Sequence, residues 1–149
     1  MKRIKGIFLL ILPVMMATGC CTKKECEGAD EIREVQLINF STADVDTVIC
    51  MRFQKNTGFT SPVDSIFTAA SERGGVHILH LQSNLDITYD YVINLPGPGS
   101  EYKLSQFKTD KEGCGNCFPY RPQSDYYNRL SSYEVNAVRQ SAEQINLYK

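Results

Sequence analysis

The residues of this chain best suited to chemistry are two cysteines in the segment Cys114-Gly-Asn-Cys117. A redox-active Cys-x-x-Cys pair needs its first thiol at a helix N-terminus, where backbone N–H groups lower the thiol pKa. Here Pro119 and Pro122 follow the pair and no strand-to-helix pattern surrounds it. A thiol–disulfide oxidoreductase using Cys114 and Cys117 is therefore the alternative function, and not the one the sequence favours.

A structural disulfide is the favoured role for this pair. It joins either Cys114 to Cys117 or one of the two to Cys21 or Cys26. Cys50 lies within a strongly apolar run, where an unpaired cysteine behaves as a small hydrophobic residue. We expect Cys50 to be buried and unpaired.

Zinc is a second candidate chemistry, because His77 and His80 could join the cysteine pair to make four ligands. The two histidines lie in a strand-like run, however, and residues three apart on a strand point to opposite faces. We expect one histidine to face the core and the other to face solvent. No metal and no other cofactor is predicted.

Four aspartates could suggest calcium binding or paired-carboxylate hydrolysis: Asp44, Asp46, Asp86 and Asp90. The first two flank a turn, where aspartate is favoured because its side chain bonds the backbone. The other two are expected on the solvent face of a strand. The chain also has no glycine-rich phosphate loop and no nucleophile elbow, so no enzymatic activity is predicted.

The longest stretch without a strand pattern, residues 108–131, contains four aromatic residues: Phe118, Tyr120, Tyr126 and Tyr127. Aromatic rings on a long loop can stack on sugars or anchor a protein, because tyrosine has a flat apolar body and a polar tip. We predict that this loop binds a glycan or another envelope protein. Alternatively, the rings cover one end of the fold.

The remaining chain reads as strands separated by turn residues. The predicted strands are 34–40, 47–54, 63–69, 76–81, 85–95 and 102–108. The clearest alternation places one apolar row inside (Leu85, Ile87, Tyr89, Tyr91, Ile93, Leu95) with Asp90 outside. A second inward row is Ile49, Met51 and Phe53. The prediction is an all-β fold, one antiparallel β-sandwich of seven to eight strands spanning residues 31–149, Ig-like or transthyretin-like.

Two readings of the tail, residues 132–149, stay open. Val135, Val138, Ala142 and Ile145 could line one side of a helix. Alternatively the tail is a β-hairpin that turns at residues 139–143 and ends in a closing strand. We favour the hairpin, since the preceding chain is all strand.

Residues 1–20 have the layout of an export signal. Three basic residues precede an apolar run of 11, from residue 7 to residue 17, and small residues lead to Cys20. The run is too short to span a bilayer, which needs roughly 20 residues. The segment resembles the bacterial lipoprotein signal, in which the cysteine is lipidated and becomes the first mature residue. Cys21 as acceptor, a plain secretory signal or an uncleaved anchor are the alternatives.

Residues 1–19 are accordingly read as signal peptide and 20–30 as a lipidated tether. All 17 acidic residues follow Cys20, but only 13 of the 16 basic ones do, so the exported part has a net charge of −4. A domain without a clustered basic face is not expected to bind nucleic acid.

Several short segments give a wider resemblance: Asp44-Val-Asp-Thr, Arg52-Phe, Asp64-Ser-Ile-Phe and Tyr89-Asp-Tyr, together with the signal ending in Cys20. With these, the chain resembles the small Bacteroides-type lipoproteins of unknown function. The resemblance implies an all-β domain anchored in the bacterial cell envelope and lends no catalytic residue. It leaves open whether the protein faces the periplasm or the cell surface.

Overall fold

The computed structural model describes residues 26–114, 126–141 and 143–149. This part of the chain is all-β, with ten strands, one short 3₁₀ turn (Thr42–Asp44) and no α-helix. The strands are β1 Glu34–Ile38, β2 Val48–Gln54, β3 Pro62–Thr68, β4 Ala70–Arg73, β5 Val76–His80, β6 Tyr89–Leu95, β7 Ser100–Gly113, β8 Tyr126–Val135, β9 Val138–Gln140 and β10 Ile145–Tyr148. Within these residues, no helix is long and apolar enough to cross a membrane.

The strands form two sheets. One has four strands in the order β10-β1-β5-β4, and the other has six in the order β3-β2-β6-β7-β8-β9. The all-β prediction is confirmed, with ten strands instead of seven or eight. The expectation of a purely antiparallel fold fails at one place, because β1 and β10 pair in parallel.

The two sheets enclose one apolar core, which supports a sandwich-like arrangement. The alternation predicted for residues 85–95 is confirmed on its inward side, since Tyr91, Ile93 and Leu95 of β6 are buried in this core. Leu85 is buried there as well, although the strand itself begins only at Tyr89. The central part of the fold is thus held by burial of apolar side chains between the sheets.

The inward row predicted on β2 is wrong by one residue. Val48 and Cys50 face the core, which puts Ile49, Met51 and Phe53 on the outer face of the six-stranded sheet. Phe53 is nevertheless buried, because the loop between β2 and β3 (residues 55–61, called the β2–β3 loop below) packs over it. Both faces of β2 are therefore apolar, and alternation alone does not identify the inner one.

The prediction that residues 108–131 form a loop is also wrong at both ends of this range. β7 continues to Gly113 and β8 starts at Tyr126, so the two strands form a long antiparallel hairpin. The register shifts twice along it, at Ser105/Lys108 and at Lys108/Thr109. Apart from Tyr126 and Tyr127, the side chains of the outer half are polar on both faces, so strand pairing rather than burial of an apolar row defines this part of the hairpin.

The helical reading of the tail is wrong, and the hairpin reading holds only in part. The turn lies at Asn136 and Ala137, both with positive φ, as a two-residue hairpin turn of the favoured type requires. After β9 the chain crosses to the other sheet, where β10 pairs with β1.

Candidate functional site

Cys114 forms a disulfide with Cys26, with a Cα–Cα distance of 5.8 Å across 88 residues of sequence. This is one of the alternatives left open by the sequence, and Cys114 is accordingly not bonded to Cys117, which lies outside the described residues. Just after Cys26, Ala29 is 1% exposed and donates its backbone N–H to the Asn128 carbonyl. The segment from residue 26 onward is therefore fastened to the end of the β7–β8 hairpin.

Cys50 is free and buried, as predicted. Burial raises the pKa of its thiol to about 11. The thiolate is the nucleophilic form of cysteine, so at neutral pH Cys50 is an inert core residue.

A polar cluster covers the edge of the core beside Cys50. The Arg52 guanidinium forms a two-bond ion pair with the Asp64 carboxylate and stacks 4.7 Å from the centroid of the Tyr89 ring. Three of the segments that carried the lipoprotein resemblance thus meet here. The cavity beneath has a volume of only ≈ 20 Å³, about the room for one water. The cluster closes this edge of the sandwich. The cavity beneath it is too small to hold a ligand.

The two histidines lie on β5, with His77 buried and His80 exposed, as predicted. They point to opposite faces of the strand and do not converge on one ion. Among the described residues, no three histidine, cysteine or acidic side chains come together in a geometry suited to a metal.

The four aspartates are spread over separate structures. Asp44 bonds the backbone N–H and hydroxyl of Ser41, and Asp86 bonds Thr88 in the same way, so both shape turns. Asp46 is exposed. The prediction that Asp90 faces solvent is wrong, because this residue is only 3% exposed. Since Asp44, Asp86 and Asp90 each accept hydrogen bonds in a different segment, the four aspartates do not form a shared site.

Of the four predicted binding aromatics, Phe118 and Tyr120 lie outside the described residues. Tyr126 and Tyr127 lie on β8 instead of on a loop, and as adjacent strand residues they point to opposite faces. Tyr126 is 40% exposed, with the Lys111 ammonium 5.2 Å from its ring centroid, whereas Tyr127 is half-buried. Their role in binding stays a prediction.

An open groove of ≈ 490 Å³ lies on the outer face of the six-stranded sheet, where β7 begins and β8 ends. Its walls carry an aromatic ring, two carboxylates, an ammonium, a hydroxyl and an amide, from Phe59, Glu101, Lys103, Ser105, Glu134 and Asn136. Strand pairing fixes most of these side chains, since Ser105 opposes Glu134 and the Asn136 amide oxygen accepts the Lys103 N–H at 2.8 Å. The sheet side of the groove is thus formed by paired strands.

The aromatic wall comes from the β2–β3 loop. Phe59 has φ +62, a left-handed conformation that a bulky residue adopts only when its surroundings impose it. Its ring packs edge-on against Phe53, with centroids 5.7 Å apart, and the Lys103 ammonium lies 5.7 Å from its centroid. The loop is also bonded at its start, where the Asp90 carboxylate accepts the Asn56 N–H at 2.9 Å.

The sequence prediction missed this groove. Its one local signal is an aromatic residue placed directly after Gly58 inside a turn, where apolar residues are not needed for the core. The other walls come from the start of β7 and the end of β8, where Ser105 and Glu134 are far apart in sequence and meet only through strand pairing.

In the comparisons with known proteins, no protein-family model matches the chain, and neither a curated protein nor a solved structure matches it. The class of protein is thus defined by the structure alone: an all-β, two-sheet domain with one described disulfide and an open polar groove on its outer face.

Proposed function

We propose that this chain is an exported, lipid-anchored lipoprotein of the bacterial cell envelope whose β-sandwich binds a glycan without enzymatic activity. The anchor would be Cys20, at the end of the signal-like segment, and a disulfide at Cys26–Cys114 suits an oxidising compartment outside the cytoplasm. The sandwich is proposed to be Ig-like or transthyretin-like, because two mostly antiparallel sheets pack over one core.

The groove at Phe59 is the observation that carries the glycan assignment. The apolar face of a sugar ring stacks on an aromatic ring, while its hydroxyls donate to carboxylate and amide oxygens and accept from an ammonium. Phe59 supplies the ring, Glu101, Glu134 and Asn136 supply acceptors, and Lys103 supplies a donor. Lys103 has a half-exposed side chain, ion-paired to Glu101 at 3.4 Å, and can move aside to admit a ligand.

The form of the groove favours a glycan over a protein ligand. Protein hot spots are well-packed pockets around several desolvated apolar anchors. Here a single ring stands among polar side chains in a groove open to solvent. A chain of sugars, which presents alternating apolar faces and hydroxyls, matches that arrangement.

Native gels containing neutral polysaccharides (glycogen, xylan or galactomannan) test the proposal. The full chain should be retarded by at least one of them, and Phe59→Asn should weaken that binding by roughly 1–3 kcal/mol, the loss typical of a central aromatic contact. Asparagine is chosen because it tolerates the left-handed conformation of this position. Phe67→Asn is the matched control, since Phe67 is exposed on the same sheet face outside the groove.

Absence of retardation by every polysaccharide, or equal retardation of the Phe59→Asn variant, would overturn the glycan assignment. The anchor is tested separately by metabolic labelling with a fatty acid, which should tag the wild type and not Cys20→Ala. Equal labelling of the two would overturn lipidation at Cys20.

A further inference from the structure

The disulfide and the groove lie at opposite ends of the β7–β8 hairpin. Cys114 directly follows the last residue of β7, whereas Lys103 is near its start. Ten residues separate Lys103 from Gly113, which is about 34 Å along an antiparallel strand. The two features are thus separated by most of the length of the β7–β8 hairpin.

The proposed anchor attaches at the disulfide end. Cys20 precedes Cys26 by six residues, and six residues span at most about 20 Å even when fully extended. A disulfide joins Cys26 to Cys114, and a backbone hydrogen bond joins Ala29 to Asn128. The segment that starts at Cys26 is therefore held against this end of the hairpin. The tether is therefore shorter than the hairpin to which it is fastened.

From these lengths we infer that the disulfide end of the hairpin rests on the lipid surface, with Tyr126 at the headgroups, and that the groove projects away from the membrane. This inference rests on the lipid anchor of the proposed function. It assigns the predicted aromatic Tyr126 a lipid partner, while Phe59 serves the glycan.

The chemistry of this end fits a zwitterionic headgroup layer. Tyr126 is partly exposed, and its ring and hydroxyl suit the boundary between acyl chains and water, where tyrosine is enriched. Lys111 beside the ring lies between Asp110 and Glu112 in sequence, so the described residues around Tyr126 form no basic patch that would select anionic lipids. The short tether keeps this end of the hairpin near the lipid surface, and Tyr126 makes the contact with the headgroups.

Tryptophan substitution tests the orientation, because the chain contains no tryptophan and one introduced indole can be excited at wavelengths that tyrosine does not absorb. The Tyr126→Trp variant reports the disulfide end. Phe67→Trp is the matched control: Phe67 is 67% exposed and aligned through Ile49 and Asn94 with Glu101, at the start of β7. Each full-length lipidated variant is reconstituted into phosphatidylcholine vesicles, with or without lipid spin-labelled near the headgroup.

Spin-labelled lipid should remove most of the fluorescence of the Tyr126→Trp variant and leave that of the Phe67→Trp variant unchanged. Equal quenching, no quenching, or quenching of the Phe67→Trp variant alone in vesicles that carry the protein on flotation would overturn the orientation while leaving the anchor and the groove intact. Failure of the wild-type protein to float with vesicles would overturn the anchor, and this inference with it.

Discussion

The Asp90 carboxylate accepts a hydrogen bond from the backbone N–H of Asn56, with 2.9 Å between Oδ2 and N. This bond joins β6 to the β2–β3 loop. Asp90 is buried, although it lies on the outer face of the six-stranded sheet. Since Phe59 belongs to the same loop, the position of the groove wall depends on Asp90.

Substitutions at Asp90 should distinguish the hydrogen bond from the charge. Asp90→Ala removes the acceptor of the part-buried hydrogen bond from the Asn56 N–H, which should lower the free energy of unfolding by about 0.5–1.5 kcal/mol. Asp90→Asn keeps an acceptor oxygen and should stay within about 0.5 kcal/mol of the wild type. Urea denaturation measures both, and equal losses from the two substitutions would show that the charge, and not the bond to Asn56, is what matters.

The disulfide should contribute a large share of the stability. Replacing both Cys26 and Cys114 by serine should lower the free energy of unfolding by about 2–5 kcal/mol, because the bond closes a long loop in the unfolded chain. Urea denaturation with and without dithiothreitol gives the measurement and its control. The reductant should destabilise the wild type and leave the double variant unchanged; equal destabilisation of both would mean that a different bond is responsible.

Asp44 should make stability depend on pH in the acid range. Hydrogen bonds from the Lys149 ammonium and from the backbone and hydroxyl of Ser41 lower the Asp44 pKa from 3.8 to about 2. A carboxyl whose folded pKa is lowered stabilises the fold fully above its unfolded pKa and loses that contribution as pH falls through the folded value. Asp44→Asn should therefore be less stable than the wild type near neutral pH, and the difference should vanish towards pH 2.

Unfolding curves of the two proteins across this range check the sign. Lys149→Met provides a second test, because Lys149 makes the largest contribution to the lowered pKa. If the wild type and Asp44→Asn lose stability in parallel between pH 4 and pH 2, the assignment to Asp44 is wrong.

Local patterns were enough to predict most strands of the central fold, since Tyr91, Ile93 and Leu95 alternate with less apolar residues. They were not enough to select the inner face of β2, because its outer residue Phe53 is covered by a loop whose path depends on Asp90 and Asn56. An apolar residue in an alternating pattern is expected to be buried. The pattern does not indicate whether the opposite sheet or a covering loop buries it.

Two further features depend on long-range pairing and leave no local pattern. Apart from two tyrosines, the outer half of the β7–β8 hairpin has polar residues on both faces, such as Asp110, Arg129 and Asn128, so its sequence indicates a loop. The groove walls come from strands and a loop far apart in sequence, and only the fold brings Phe59 close to Lys103. Local sequence patterns therefore predict the class of fold and not the place of the site.

The parallel pairing of β1 with β10 has a consequence for how the domain is made. Val35 pairs with Ile145, and Ile38 with Tyr148, so a strand near the start of the domain has a neighbour more than a hundred residues later. Chains are synthesised from the N-terminus, and pairs distant in sequence cannot form until both partners have emerged. In this sheet β1 emerges first, and the edge of β1 that pairs with β10 stays open until residues 145–148 have emerged as well.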